Sequence, residues 1–222
     1  MTAILSEETK LRDQIVAVGK SLFDRGLTFG STGNISARLS SGEILMTPTN
    51  ASLGSLEPQR LSRFSAEGIW QDGDKPTKEA FLHQCMYCKR AMSGAVVHLH
   101  STHAVAVSIL DDIDPADVLP PLTAYYVMRV GRLPLVPYYP PGDEALAEAV
   151  AEKATDSHAV LLANHGPVVA GKTLLDAQYA TEELEETAKL FLLLHGRNIR
   201  PLTSTQAAPL RGSNPPEVQP RR

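Results

Sequence analysis

The sequence predicts an α/β fold. Short β-branched apolar runs, such as Ala95-Val96-Val97 and Ala159-Val160-Leu161-Leu162-Ala163, read as buried strands. Between them lie segments whose apolar residues recur at helical spacing, such as Leu11, Ile15, Val18 and Leu22. Both strand runs end in histidine: His98 and His100 follow the first, and His165 follows the second.

The chain has 222 residues, which suits one large domain with a substantial core. Apolar residues make up 43% and charged residues 21%, an ordinary balance for a globular protein. The net charge of −4 and the lack of a basic block disfavour nucleic-acid binding. No apolar run is long enough to span a membrane. Met1 to Lys10 has neither the basic nor the apolar region of a signal peptide, so the expected location is cytoplasmic. Cys85 and Cys88 are C-x-x-C spaced but lie within one expected helix with no second pair. They read as reduced structural thiols.

In chain order, Ser6 caps a helix from Glu7 that Gly26 stops. The loop Gly30-Ser31-Thr32-Gly33-Asn34-Ile35-Ser36 can bring backbone N–H groups close to an anion, although it matches neither phosphate-loop fingerprint. Residues 35–39 and 43–47 form a hairpin, then comes the small polar loop Pro48-Thr49-Asn50, and a second hairpin spans residues 61–71. Thr77 caps a helix over residues 78–91 with Phe81, Leu82, Cys85 and Met86 inward. That puts Glu79 in the first turn, where a carboxylate alone reads as a capping group. After the strand at Ala95, residues 102–110 are helical, residues 111–121 form a proline-punctuated connection, and residues 125–128 suit either a short strand or a turn of helix. A strand over 133–138, a helix over 144–153, the strand at Ala159 and a short strand at Val168-Val169 follow. Thr173 then caps a long helix reaching Leu194, whose Glu182, Glu183, Glu185 and Glu186 form a solvated or subunit-contacting face. Five prolines between Pro201 and Pro220 mark residues 201–222 as a flexible tail outside a 1–200 domain.

His98 and His100 are two apart, so on a strand they project to one face. Imidazole is a common metal ligand, and zinc sites need at least three protein ligands. The pair alone also arises by chance. His165 is the best third partner. His103 is weaker, because its odd offset from His98 turns it to the other face.

These motifs together resemble the class II aldolase/adducin family: Gly33-Asn34-Ile35-Ser36, Thr47-Pro48-Thr49, Thr77-Lys78-Glu79, His98-Leu99-His100-Ser101 and Asn164-His165-Gly166. The resemblance spans residues 11–194. It implies a three-layer α/β/α fold with a mainly antiparallel central sheet, and a homotetramer with active sites between subunits. It also implies a Zn2+ ion, or another divalent metal such as Mn2+ or Co2+. By motif, His98, His100 and His165 correspond to the metal ligands. Glu79 corresponds to the catalytic acid/base and an added metal contact, replacing the capping role it has when read alone. Gly33, Asn34, Thr49, Asn50, Thr77 and Lys78 correspond to substrate phosphate-binding positions. Two positions depart from the aldolases of the family: Asn50 where they carry Gly, and Thr77-Lys78 where they carry Ser-Ser.

The runs Asp74 to Glu79, Tyr125 to Gly131 and Thr181 to Lys189 are more narrowly similar to the branch of the family that decarboxylates 3-oxo-tetronate 4-phosphates. That branch implies a phosphorylated acid-sugar substrate, loss of CO2 through a metal-stabilised enediolate, and dihydroxyacetone phosphate as product. Tyr126 is then a candidate for lining the site. The rivals are a sugar-phosphate aldolase or 4-epimerase of the same family and a non-catalytic adducin-like scaffold. Asn50, Lys78 and Tyr125-Tyr126 would discriminate the enzymes, and the intact His triad with Glu79 disfavours the scaffold.

Overall fold

Ser6 accepts a hydrogen bond from the Thr9 amide (3.1 Å) and starts helix α1 (Glu7–Asp24), which buries Ile15, Val18 and Leu22 on one stripe. The structure is a computed structural model describing residues 6–140 and 143–213. The expected hairpins form as strands β1 (Asn34–Arg38) with β2 (Ile44–Met46) and β3 (Ser62–Phe64) with β4 (Trp70–Asp72). Next come α2 (Ala80–Lys89), β5 (Ala95–His98), α3 (Thr102–Val107), α4 (Ala124–Arg129) and β6 (Leu135–Val136). The chain continues through α5 (Glu144–Ala154), β7 (Ala159–Leu162), β8 (Gly166–Gly171), α6 (Leu174–Leu194) and α7 (Ser204–Ala207).

The strands form one eight-stranded sheet in the order β4-β3-β2-β1-β5-β8-β7-β6. Every pairing is antiparallel except β6 with β7. Side chains alternate across it. On one face Val96, Val160 and Val168 pack with Leu82 and Met86 of α2 and Val150 and Ala154 of α5. On the other, Ile35, Ala37 and Val97 meet α1, while Leu161 and Val169 meet α3, α4 and α6. The result is three layers, α/β/α, with the sheet buried on both sides, which is why its central strands read as unbroken apolar runs. Among the described residues no helix is long and apolar enough to cross a membrane. Cys85 and Cys88 are free thiols, and burial pushes the Cys85 thiol up to about 12.

Two expectations change, and one alternative is decided. Helix α2 begins at Ala80, because Thr77 Oγ1 accepts from the Glu79 amide two residues on and holds residues 77–79 in a turn. Residues 125–128 are helical, so Val127 turns into the core while Tyr125 stays exposed. The segment expected to be a tail is packed over its first part. Thr203 and Gln206 form a capping box, the Leu202 amide donates to the Pro121 carbonyl (2.9 Å), and Leu202, Ala207 and Leu210 pack against the α4/α6 core. Three apolar residues scattered among prolines leave no periodicity to read. The remainder, 214–222, lies outside the described residues.

A chain ended at Arg200 should therefore be less stable. A fully buried leucine is worth roughly 1.5–3 kcal/mol and a partly buried one less, so the loss should reach a few kcal/mol and appear as a lower urea midpoint. An unchanged midpoint would mean that residues 201–213 add nothing to the core.

Candidate metal centre and its surroundings

Strand register builds the site. Asn34 at the start of β1 pairs with His98 at the end of β5, and His98 pairs on its other side with Val168 of β8. His98 shares a face with Val96, toward α2. His100 lies two residues past the strand end, and His165 sits in the tight β7–β8 turn. Two left-handed residues shape that turn: Asn164 (φ 58) and Gly166 (φ 148). A Cβ at Gly166 would lie 2.2 Å from the Leu99 carbonyl oxygen, so only glycine lets the His165 turn approach the His100 loop this closely.

The three imidazoles meet edge to face, with centroids 4.6–5.0 Å apart. Glu79 closes the group. Its Oε1 is 2.9 Å from His165 Nε2 and its Oε2 is 3.5 Å from His98 Nε2. One ligand atom from each of Glu79, His98, His100 and His165 lies within 4.8 Å of all the others. His98 is fully buried, and its Nδ1 donates to the Pro167 carbonyl (2.8 Å), which turns the Nε2 lone pair inward. The Nε2 atoms of His98 and His100 are buried without a hydrogen-bond partner among the described residues. A backbone carbonyl fixing one ring nitrogen while the other waits for a ligand is how metal-binding histidines are held. Three imidazoles and a carboxylate suit a borderline divalent cation.

The charged groups of the cluster act on one another. Burial raises the Glu79 carboxyl, but His98 and His165 more than reverse this and hold it far below the usual carboxylate range. Burial lowers His98, and Glu79 raises it overall. His100 is pushed down to about 4 by burial, then by His98 and His165, and is neutral.

Of the residues matched to phosphate binding, Gly33, Asn34 and Thr77 connect directly to this group. Gly33 (φ 78) passes directly over the His98 backbone, where a Cβ would lie 3.0 Å from the carbonyl oxygen. A bridge between Pro48 and Pro76 and a hydrogen bond from the Thr49 amide to the Lys75 carbonyl (2.9 Å) join the Thr49-Asn50 loop to the Thr77-Lys78 loop. Asn50 is exposed and left-handed (φ 58), which explains the departure there: asparagine adopts the conformation that glycine would otherwise supply. Lys78 is exposed. The Asn34 side chain is already engaged: its Nδ2 donates to Glu79 Oε2 (2.7 Å) and its Oδ1 faces His83 Nε2.

Tyr126 packs in a core cluster that contains none of Glu79, His98, His100 and His165. It is fully buried in the core beneath α4, and its Oη has no hydrogen-bond partner among the described residues. Burial, then Asp117, pushes its phenol well above the usual range. Helical rather than extended backbone at this segment turns Tyr126 inward and leaves Tyr125 at the surface.

Sequence reasoning missed two supports. Glu185 of α6 accepts from the His103 amide, the Ala104 amide and His103 Nδ1 (2.8–2.9 Å), so it caps α3 directly after the His100 loop. The Glu-rich face is thus largely occupied within the chain: Glu182 pairs with Arg25 and Glu183 accepts from Thr123. His83 is the second. It stands four residues after Glu79, and that spacing was the available signal.

Residues 13–192 match the model of the Class II Aldolase and Adducin N-terminal domain. The chain is 49% identical over 211 residues to the 3-oxo-tetronate 4-phosphate decarboxylase of Escherichia coli K12, covering 95% of this chain and all of that protein. It is 35% identical over 182 residues to the L-fuculose phosphate aldolase of Methanocaldococcus jannaschii, covering 82% and 96% of the two chains. The crystal structure of YgbL from Escherichia coli superposes with a TM-score of 0.90 at 48% identity, covering 93% of this chain and 100% of that one.

Replacing Tyr126 by Phe removes only a buried hydroxyl without a partner among the described residues. Tyr126→Phe should leave turnover unchanged and shift the unfolding free energy by less than about 1 kcal/mol, since loss of an unpaired buried polar group is close to neutral. A large fall in kcat would return the phenol to the chemistry.

Proposed function

The chain belongs to the class II aldolase and adducin family, and from that premise we propose that it decarboxylates a 3-oxo-tetronate 4-phosphate to dihydroxyacetone phosphate and CO2. The observation that carries this reading is near-50% identity to decarboxylases over almost the whole chain, against 35% to an aldolase. An adducin-like scaffold would have no use for a buried histidine triad closed by a carboxylate.

His98, His100, His165 and Glu79 are the residues that would hold the family's divalent cation, with Zn2+ the best fit to a three-imidazole set and Mn2+ or Co2+ as substitutes. When bound, that ion supplies Lewis acidity, drawing charge onto the substrate's ketone oxygen. The chain's own groups do the rest. Gly33 and the Thr49-Asn50 and Thr77-Lys78 loops hold the phosphate with backbone N–H groups, hydroxyls and the Lys78 charge. Asn34, beside Gly33, also holds Glu79 through its side-chain amide. The C1–C2 bond breaks, C1 leaves as CO2, and its electron pair remains on C2. Glu79, held beside the triad by Asn34, passes a solvent proton to C2, taking up one proton for each it gives and so keeping its own charge.

A homotetramer in the cytoplasm with sites between subunits belongs to the same reading. The exposed apolar side chains Tyr125 of α4 and Leu175 and Tyr179 of α6 suit a subunit contact.

The direct test is CO2 release from a 3-oxo-tetronate 4-phosphate beside a panel of ketose phosphates. Release should occur with the acid sugar, stop on chelation and return with Zn2+. Cleavage of a ketose phosphate without CO2 release would make the chain an aldolase.

Glu79→Gln keeps size and hydrogen bonding but has no proton to give. It should bind substrate yet lose about 10²–10⁴-fold in turnover, the usual worth of general acid–base catalysis. Some decarboxylation should persist. Solvent deuterium, delivered to one face of C2 by the natural protein, should then enter without facial preference. A normal rate with unchanged selectivity would remove Glu79 from the chemistry.

A further inference from the structure

Behind Glu79 runs a line of buried polar groups. Asn34 Nδ2 is 2.7 Å from Glu79 Oε2, and Asn34 Oδ1 lies against His83 Nε2. His83 Nδ1 is 2.7 Å from Ser36 Oγ, which is 2.8 Å from Tyr87 Oη. Asn34, Ser36, His83 and Tyr87 are all at least 96% buried. The placement follows from two periodicities. Asn34 and Ser36 are alternate residues on the α2-facing side of β1. His83 and Tyr87 are four apart on the stripe of α2 packed against it, and Glu79 stands four residues before His83, in the turn that leads into α2.

The chemistry of each group fixes the direction of this line. An ionised carboxylate only accepts, so the Asn34 amide must present its NH2 to Glu79 and its oxygen to His83. His83 must then carry its proton on Nε2 and accept at Nδ1. Ser36 therefore donates to His83 and accepts from Tyr87. Every hydrogen bond points the same way: Tyr87 to Ser36, to His83, to Asn34, to Glu79. Burial, then His98, lowers His83 to about 3, which keeps its ring neutral as this order requires. Aligned donors polarise one another, so the last N–H in the line binds the carboxylate more firmly than a lone amide would. An amide does not readily pass on a proton, so the line orients Glu79 and does not feed it.

We propose that His83 is a positioning residue: as the Nε2–H tautomer held by Ser36 and Tyr87, it locks the Asn34 amide so that the Glu79 carboxylate stays aimed at the histidine triad. This deepens the reading of Glu79 as metal contact and acid/base. It adds a part for three residues, Ser36, His83 and Tyr87, that touch neither metal nor substrate.

The test uses the full-length protein. With 15N-labelled histidine, two-bond 1H–15N correlation spectra at neutral pH should show His83 as the neutral Nε2–H tautomer, both metal-free and zinc-loaded. An Nδ1–H ring or an imidazolium would overturn the proposal. His83→Leu should weaken zinc binding, measured by competition with a chelator, and lower kcat by about 10–100-fold each, the usual cost of removing an outer partner of a metal ligand. KM should change little. His83→Gln can accept at one end and donate at the other, and should recover most of both losses. Natural zinc affinity and kcat in His83→Leu would overturn the proposal, as would equal loss in the Leu and Gln variants. If His83→Leu does not fold, the tautomer and the Gln variant still decide. Neither the zinc titration nor the spectrum needs substrate, so absence of CO2 release would sink the decarboxylase reading and leave these results standing.

Discussion

The cluster of Glu79 and three histidines depends on the register of β1 against β5. With Asn34 opposite His98, both side chains emerge on the α2 side at the same sheet end. A slip of one residue would turn His98 toward α1 and bring Val97 or Leu99 in its place. The apolar neighbours forbid that slip. Val97 is buried against the α1 side and Val96 against the α2 side, so a shifted strand would carry a polar imidazole into an apolar layer. Packing thus sets register, register places the first histidine, and the β5–β8 pairing brings the His165 turn alongside.

Much of this order was legible in the sequence. Periodicity and caps located α1, the two hairpins, β5, β7 and α6, because in those segments local preference and tertiary burial agree. The start of α2 was missed because a threonine hydroxyl can serve a turn as well as a helix, and Asn34, 43 residues away, helps decide between them. The orientation of Tyr126 was missed because four apolar and aromatic residues in a row carry no period. The docking of residues 201–213 was hidden by composition: prolines and small polar residues describe the backbone but not what Leu202, Ala207 and Leu210 touch.

The site divides in the same way. The histidine triad could be read because its spacing on strand ends is itself a geometric statement. Glu79 took its role from the family motif alone, since a carboxylate near a helix start has an ordinary explanation. The second layer was unreadable at single positions. Asn34 was matched to the phosphate from its motif, which says nothing of its side-chain amide reaching Glu79 and His83. Glu185 looked like surface charge, whereas it fastens the start of α3 just beyond His100. In each case the partner lies 45 or more residues away, and only the folded sheet makes them neighbours.

The glycine at position 166 has a mechanical consequence. With no side chain between them, the backbone of the His165 turn rests directly on the carbonyl of Leu99, and Leu99 lies between His98 and His100. The two loops are in solid contact, with no compressible side chain to absorb motion. A displacement of either is transmitted to the other, so the three imidazoles shift as one body. Glu79 reaches in from a separate turn, and Asn34, paired in register with His98, ties its carboxylate to the same frame.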